Sequence, residues 1–418
     1  MINQKLRTMK KLIVIALLML AASLTAQVRI EEKDALSTAE DFLKKNAKKS
    51  SPTLTLNEVV NSRLTGEPNL FVFRMEPQGF VVVSAMNEIL AYSFESSLPV
   101  SDELPAHIAY WIDLYNEQTD YLIQHPNRLK KPEKQQHSVG PLLTSIWGQG
   151  CYHNSLCPND VSGPCHHVSA GCVAIAMAQI MYYHKQPLKG NGSVTYACQP
   201  YGTLSANFGS TIYDWEGMAD TLSESNYAVA KLILHCGISV KMNYGAQTSV
   251  SSISAAHNAL QQHFFYPFST HSNRQLYTDE DWTAMIRQDI DNLCPVYYSG
   301  KSSLGSHAFV CDGYDSNGLF HFNFGWDGVA DGYYTIDNPY GFSTVQSCIH
   351  DIIPLTNLPI QSDNHGIVYV SPDGCGDGSS WENATSELQT AIFKSNVDKT
   401  AIWVKEVNSC ILSIISSL

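Results

Sequence analysis

The stretch SAGCVAIAMAQIMYYH, Ser169 to His184, puts a cysteine directly after a small-residue turn and before a run that is apolar on every side. No charged residue falls between Val173 and Met181, the mark of a helix buried all round rather than along one stripe. The N-terminus of such a helix lies inside the protein, where unsatisfied N–H groups and the helix dipole favour an anion. A thiol there is expected to ionise more readily, and thiolate is the nucleophilic form. Alone, the stretch suits a cysteine that fills core as well as one that attacks. The rest of the chain has to decide.

The chain has 418 residues, a formal net charge of -13, 44% hydrophobic residues and 16% charged ones. That is a globular balance, long enough for two or three domains. An acidic chain without a basic stripe argues against nucleic acid as a partner. At the N-terminus, Lys5, Arg7, Lys10 and Lys11 precede the apolar run Leu12 to Leu20, and small residues lead to Ala26. This reads as an export signal over residues 1–26, too short in its apolar part for a membrane span, and no later segment reaches spanning length. The mature protein is expected to start near Gln27, secreted or in the cell envelope. Eleven cysteines then sit where disulfides are permitted, and the odd number leaves at least one unpaired within the chain, for which Cys172 is the candidate. Cys311, in HAFVCDG, reads as a buried strand residue.

Along the chain, KDALSTAEDFLKKNAKK (33–49) has helical spacing, NLFVFRM and GFVVVSA are β-rich runs split by a turn, and HIAYWIDLYNEQTDYLIQ (107–124) is helical again. This small α+β unit ends in HPNRLKKPEKQQHSVG (125–140), polar and open to proteolysis as an exposed linker would be. A larger unit follows, with its apolar helix early and its strands late, from PVYYSG through HAFVCDGY and GLFHFNFGW to GYYTID. Helices first and an antiparallel sheet afterwards indicate an α+β fold. A third segment, beyond PLTNLPIQSDNHG (354–366), carries IVYV and AIWV.

A thiolate needs a base. His184 is excluded, because twelve residues of helix place it about 18 Å from Cys172. His166 and His167 fall in an uncommitted loop. His307, in GSHAFVCDGY, follows a Gly-Ser turn and begins an apolar strand that can fix its ring. His307 and Asn323 each lie eight residues from Asp315, so a turn centred there sets them opposite each other, and the Asn323 carbonyl could accept the imidazole N–H. A tight turn centred on Asn317 and Gly318 would instead move Asn323 several residues along. For the oxyanion, the Cys172 N–H at the helix start is one donor, and Gln149, in the loop upstream, offers a side-chain amide.

The segments W-x-Q at Trp147 to Gln149, CYHNSLCP, AGCVAIAMAQIMYYHKQP, YDW, MNYG, HAFVCDGYD and FHFNFGWDGVADGYY resemble, in order and spacing, the streptopain family of secreted papain-like cysteine peptidases. The resemblance covers about residues 141 to 356. The leader containing GFVVVSA resembles that family's inhibitory propeptide. It implies Cys172 as nucleophile, His307 as general base and acid, Asn323 as the residue that orients the imidazole, Gln149 as the oxyanion glutamine and Trp326 as the tryptophan shielding the histidine. Two departures are Phe324 in place of the first tryptophan of an N-W-G-W motif, and Ser306 where a glycine commonly precedes the histidine.

Cys151, His153, Cys157, Cys165, His166 and His167 form a dense cluster of ligand-type residues. Gaps of five and seven residues between the cysteines do not suit structural zinc, and a local disulfide or unpaired loop thiols are the alternatives. YVSPDGCGDGSSWENATSELQTAI to AIWVKE resembles the opening turn of a right-handed parallel β-helix, whose later coils would be expected to continue where the chain stops.

The reading is therefore a papain-like α+β fold with signal peptide 1–26, inhibitory propeptide 27–137, catalytic domain 138–356, and a linker with truncated β-helix-like segment 357–418. The expected activity is cofactor-free, metal-free hydrolysis of protein or peptide substrates by a Cys-His dyad, with the propeptide as intramolecular inhibitor. A papain-like amidase or transglutaminase, or an inactive binding protein on the same scaffold, is the alternative.

Overall fold

The computed structural model describes residues 29–46, 52–98, 106–124, 138–302, 305–355, 360–372, 377–385, 391, 401–404 and 413–415. The export signal and the linker segment 125–137 lie outside the described residues. Helix α1 (Glu32–Asn46) has acidic residues in its first turn and lysines in its last, complementing its dipole, and buries Ala35, Ala39, Phe42 and Leu43 at helical spacing. Those side chains cover a four-stranded meander of β1 (Thr53–Asn61), β2 (Pro68–Glu76), β3 (Phe80–Ser84) and β4 (Ile89–Ser93). Strand β3, FVVVS, is buried throughout, as a central strand covered on both faces must be. Helix α2 (Ala106–Gln124) closes the unit.

The larger unit sets α3 (Cys172–His184), α4 (Tyr227–Ser239) and α5 (Ile253–Phe264) before most of its strands, with the hairpin β5 (Ser193–Cys198) and β6 (Gly202–Asn207) between. Then follow β7 (Thr270–Asn273), α6 (Asp279–Asp291), β8 (Val296–Ser302), β9 (Gly305–Tyr314), β10 (Phe320–Asn323), β11 (Gly332–Tyr334) and β12 (Thr344–His350). The expected α+β order holds. Helix α3 is enclosed in the main core, all of Val173 to Met181 being buried, as its uncharged sequence requires.

The two units share one antiparallel sheet of ten strands, in the order β1-β2-β3-β4-β11-β10-β9-β8-β12-β7. The seam is β4 against β11, with Tyr92 opposite Tyr333 and Ala91 opposite Tyr334. The two units are successive stretches of sequence, yet β4 of the first extends the sheet of the second. A further small sheet joins β13 (Ile367–Val370) in parallel to β14 (Ala401–Val404), which pairs antiparallel with β15 (Ser413–Ile415).

The β9–β10 hairpin takes the second of the two registers open to it. Phe320 pairs with Tyr314 and Asn323 with Val310, so Asn323 lies three residues along the ladder from His307 instead of opposite it. The Asp315 side chain decides this by accepting the N–H groups of Asn317 at 2.9 Å and Leu319 at 2.8 Å, which draws the turn tight around Gly318.

Candidate active site

Gly171 caps α3 at φ +88°, and a Cβ there would meet Met242 at 2.8 Å, so a residue without a side chain leads the chain into Cys172. Cys172 is half-buried and unpaired. The backbone N–H groups of Ala308, Val173 and Cys172 itself lie near enough to its sulfur to favour the thiolate. Ala308 immediately follows His307, so the fold brings the start of α3 to the start of β9. The sequence expectation of an easily ionised thiol does not hold for the free group. Burial pushes the Cys172 thiol up, and the three N–H groups pull it back only in part.

His307 is 7% exposed and sits in an aromatic box. Trp326 lies almost parallel to the ring at 4.5 Å, with Phe342 at 5.3 Å, Phe309 at 5.8 Å and Phe324 at 6.5 Å. Nε2 lies 2.7 Å from the backbone carbonyl of Phe324. A carbonyl only accepts, so Nε2 carries a proton and Nδ1 of the neutral ring keeps its lone pair.

The hydrogen bonds of the Asn323 side chain go to other partners than the imidazole. Its Oδ1 accepts Gln179 Nε2–H at 2.9 Å and Gly325 N–H at 3.0 Å, and its Nδ2 donates to the Ser145 carbonyl at 2.9 Å. The tight hairpin register accounts for this, since it carries Asn323 past the histidine. The acceptor for Nε2 comes instead from the following peptide unit. That unit, Phe324–Gly325, offers its carbonyl to His307 and its N–H to Asn323. On the other side of Phe324, the buried Asp331 carboxylate accepts the Phe324 N–H at 2.7 Å.

Gln149 is anchored beside the helix start, its carbonyl accepting Ala170 N–H at 2.9 Å and its Oε1 facing Ser169 Oγ at 3.4 Å. Its loop is tied to the loop of Trp326 by Asp327 N–H donating to the Trp147 carbonyl at 3.2 Å. The cysteine cluster resolves as a disulfide between Cys151 and Cys165. Cys157 stays free and buried, which pushes its thiol up to about 12.

Three groups escaped the sequence reading: Gln179, Asp331 and the Phe324 carbonyl. A backbone acceptor leaves no trace in residue types. Gln179 did leave a signal, as a lone carboxamide in an otherwise apolar helix that must find partners when buried.

The Peptidase C10 family profile matches residues 147–334, and the Spi protease inhibitor profile matches residues 27–119. Streptopain of Streptococcus pyogenes is 33% identical over 371 residues, covering 77% of this chain and 92% of the relative. The thiol protease/hemagglutinin PrtT of Porphyromonas gingivalis is 30% identical, covering 82% of this chain and 44% of that protein. Among solved structures, a prointerpain A fragment from Prevotella intermedia is 32% identical with a TM-score of 0.60, covering 72% of this chain and 99% of the fragment. With a relative matched over nearly its whole length and both profiles in place, the chain belongs to the streptopain family of papain-like cysteine peptidases, with an inhibitor-type propeptide ahead of the peptidase unit.

Proposed function

We propose that this peptidase works through Cys172 and His307, and that residues 27–137 hold it latent. The carrying observation is the juxtaposition at the helix start, where the N–H of Ala308, the residue after His307, lies near enough to the Cys172 sulfur to favour its thiolate. His307, fixed by Nε2–H to the Phe324 carbonyl, takes the thiol proton on Nδ1. The thiolate attacks the peptide carbonyl, while the Cys172 N–H and the Gln149 amide stabilise the oxyanion. The imidazolium protonates the leaving amine, and the neutral ring then activates water to release the acyl-enzyme. Trp326 covers the imidazole and shields its ion pair from solvent. Asn323 contributes by fixing the Phe324–Gly325 peptide.

Substrates in this reading are proteins and peptides, with no nucleic acid partner. Residues 1–26 direct export, 138–356 form the catalytic domain, and 357–418 are an appendage that proteolysis does not need. Among the described residues no helix is long and apolar enough to cross a membrane. The test is casein hydrolysis by wild type beside Cys172→Ala. Loss of hydrolysis together with an unprocessed precursor is expected in the variant, and retained turnover would exclude the mechanism. Labelling by an epoxysuccinyl peptide without casein cleavage would favour an amidase or transglutaminase.

A further inference from the structure

Gln179 lies seven residues into α3 and has no exposed surface. It is the single polar side chain in the run Val173 to Met181. A buried carboxamide left unmatched costs free energy, and an apolar residue of similar volume would pack there without that demand. Its side-chain hydrogen bonds all lead to catalytic segments. Oε1 accepts Ser145 Oγ–H at 3.0 Å and Trp147 N–H at 3.4 Å, both from the segment that runs into Gln149. Nε2 donates to Asn323 Oδ1 at 2.9 Å. Asn323 returns to the same segment through Nδ2–H to the Ser145 carbonyl, closing a ring of bonds among Gln179, Ser145 and Asn323. The Asn323 Oδ1 that Gln179 fixes is also the acceptor for the Gly325 N–H, on the peptide whose carbonyl holds His307.

We infer that Gln179 is a positioning residue for the general base: from within the nucleophile helix it fixes Asn323, which fixes the Phe324–Gly325 peptide, whose carbonyl aims the imidazole of His307. The inference rests on the reading of His307 as base. It ties the thiol, the oxyanion segment and the histidine to one buried amide, so the three move together. Its chemical effect falls on the imidazolium, which donates Nε2–H to a carbonyl held in place, a charge-assisted bond stronger than that of the neutral ring. With the peptide released, the thiolate–imidazolium pair is less populated at a given pH.

The experiment uses the full chain, processed by immobilised wild-type enzyme, as wild type, Gln179→Met and Gln179→Glu. For Gln179→Met, kcat is expected to fall about tenfold to a hundredfold with KM within about twofold, a fraction of the whole general acid–base contribution. The upper pH limb of Cys172 alkylation by iodoacetamide should move to lower pH, because the imidazolium has lost stabilisation. Gln179→Glu keeps the acceptor for Ser145 and Trp147, and its protonated acid can still donate to Asn323. Its activity should approach wild type at low pH and fall as the acid ionises, a dependence absent from the parent. If Gln179→Met does not fold, the pH profile of Gln179→Glu decides alone. A lower Tm with unchanged kcat and alkylation limb would reduce Gln179 to packing and overturn the inference. Hydrolysis that persists in a parallel Cys172→Ala sample would instead overturn the thiol reading, and the inference with it.

Discussion

At the scale of single residues, the groups around the candidate site are tuned more by burial than by charge. Asp331 has its carboxyl pushed up to about 7 by burial, with the Phe324 N–H and the His321 charge pulling it down and the nearby Asp312 and Glu95 charges adding to the rise. A carboxyl whose folded pKa exceeds its unfolded value of about 4 favours the folded state while protonated. That contribution is complete below pH 4 and is lost as pH rises through 7. Asp331→Asn cannot ionise and keeps an oxygen to accept the Phe324 N–H. Its Tm relative to the parent should therefore climb between pH 4 and pH 8. The buried histidines His153, His184 and His235, each pushed down to about 4, oppose this trend in both proteins and cancel in the difference. Parallel Tm curves would mean that Asp331 ionises freely in the folded chain. The turn and uncharged helix before and after Cys172, and the strand start at His307, made both residues candidates, and only the resemblance of their segments to a known family joined them as a pair. The ionisation of that thiol was not legible, because the desolvation that outweighs the helix start comes from packing far away in sequence.

At the scale of elements, the hairpin and the loop after it determine what holds the histidine. Sequence spacing allowed two turns, and equal separations from Asp315 favoured neither energetically. The choice was made by side-chain capture of two backbone N–H groups and by an irregularity between His321 and Phe322 that shifts the ladder by one residue. Such a register cannot be read from hydrophobic alternation, since β10 is buried on both faces and offers no polar phase. Gly325 carries the consequence. Its φ is +66°, and an added Cβ would lie 2.8 Å from Ile175 Cγ2 on α3. Gly325→Ala should cost about 1–3 kcal/mol in stability from the backbone and the clash together. Because the strain falls on the peptide bonded to His307, kcat should drop while substrate KM stays close to wild type. Urea unfolding and steady-state kinetics on the same preparation would check both. A loss of stability with unchanged kcat would show that the carbonyl reaches His307 without help from this loop.

At the scale of the whole molecule, the propeptide and the peptidase unit are joined by a sheet seam and by side chains on both sides of it. Tyr92 on β4 stacks on Tyr333 of β11 at 4.7 Å and donates to Asp315 Oδ2 at 3.0 Å. Ser93 Oγ donates to the Asp331 carbonyl at 2.6 Å, and Ser96 Oγ donates to the Gly328 carbonyl. These contacts land on the loop between Trp326 and β11, the loop whose Asp331 holds the Phe324 N–H. Docking of the propeptide is thus mechanically continuous with the support of the histidine. Strand addition of this kind gives affinity through main-chain bonds and specificity through the side chains along it. Weakening the seam should release latency without altering the enzyme that emerges, because in the proposed maturation Tyr92 is removed with residues 27–137. In the unprocessed full chain, Cys172 should react faster with an epoxysuccinyl peptide in Tyr92→Phe than in wild type, by about fivefold for the loss of one buried hydrogen bond. Tyr92→Ala, which also loses the aromatic stack, should react faster still. After processing, both variants should match wild type in kcat/KM. Equal labelling rates in all three precursors would mean that the seam anchors the propeptide without controlling access to the thiol. Unequal kcat/KM after processing would mean that part of β4 stays with the mature enzyme.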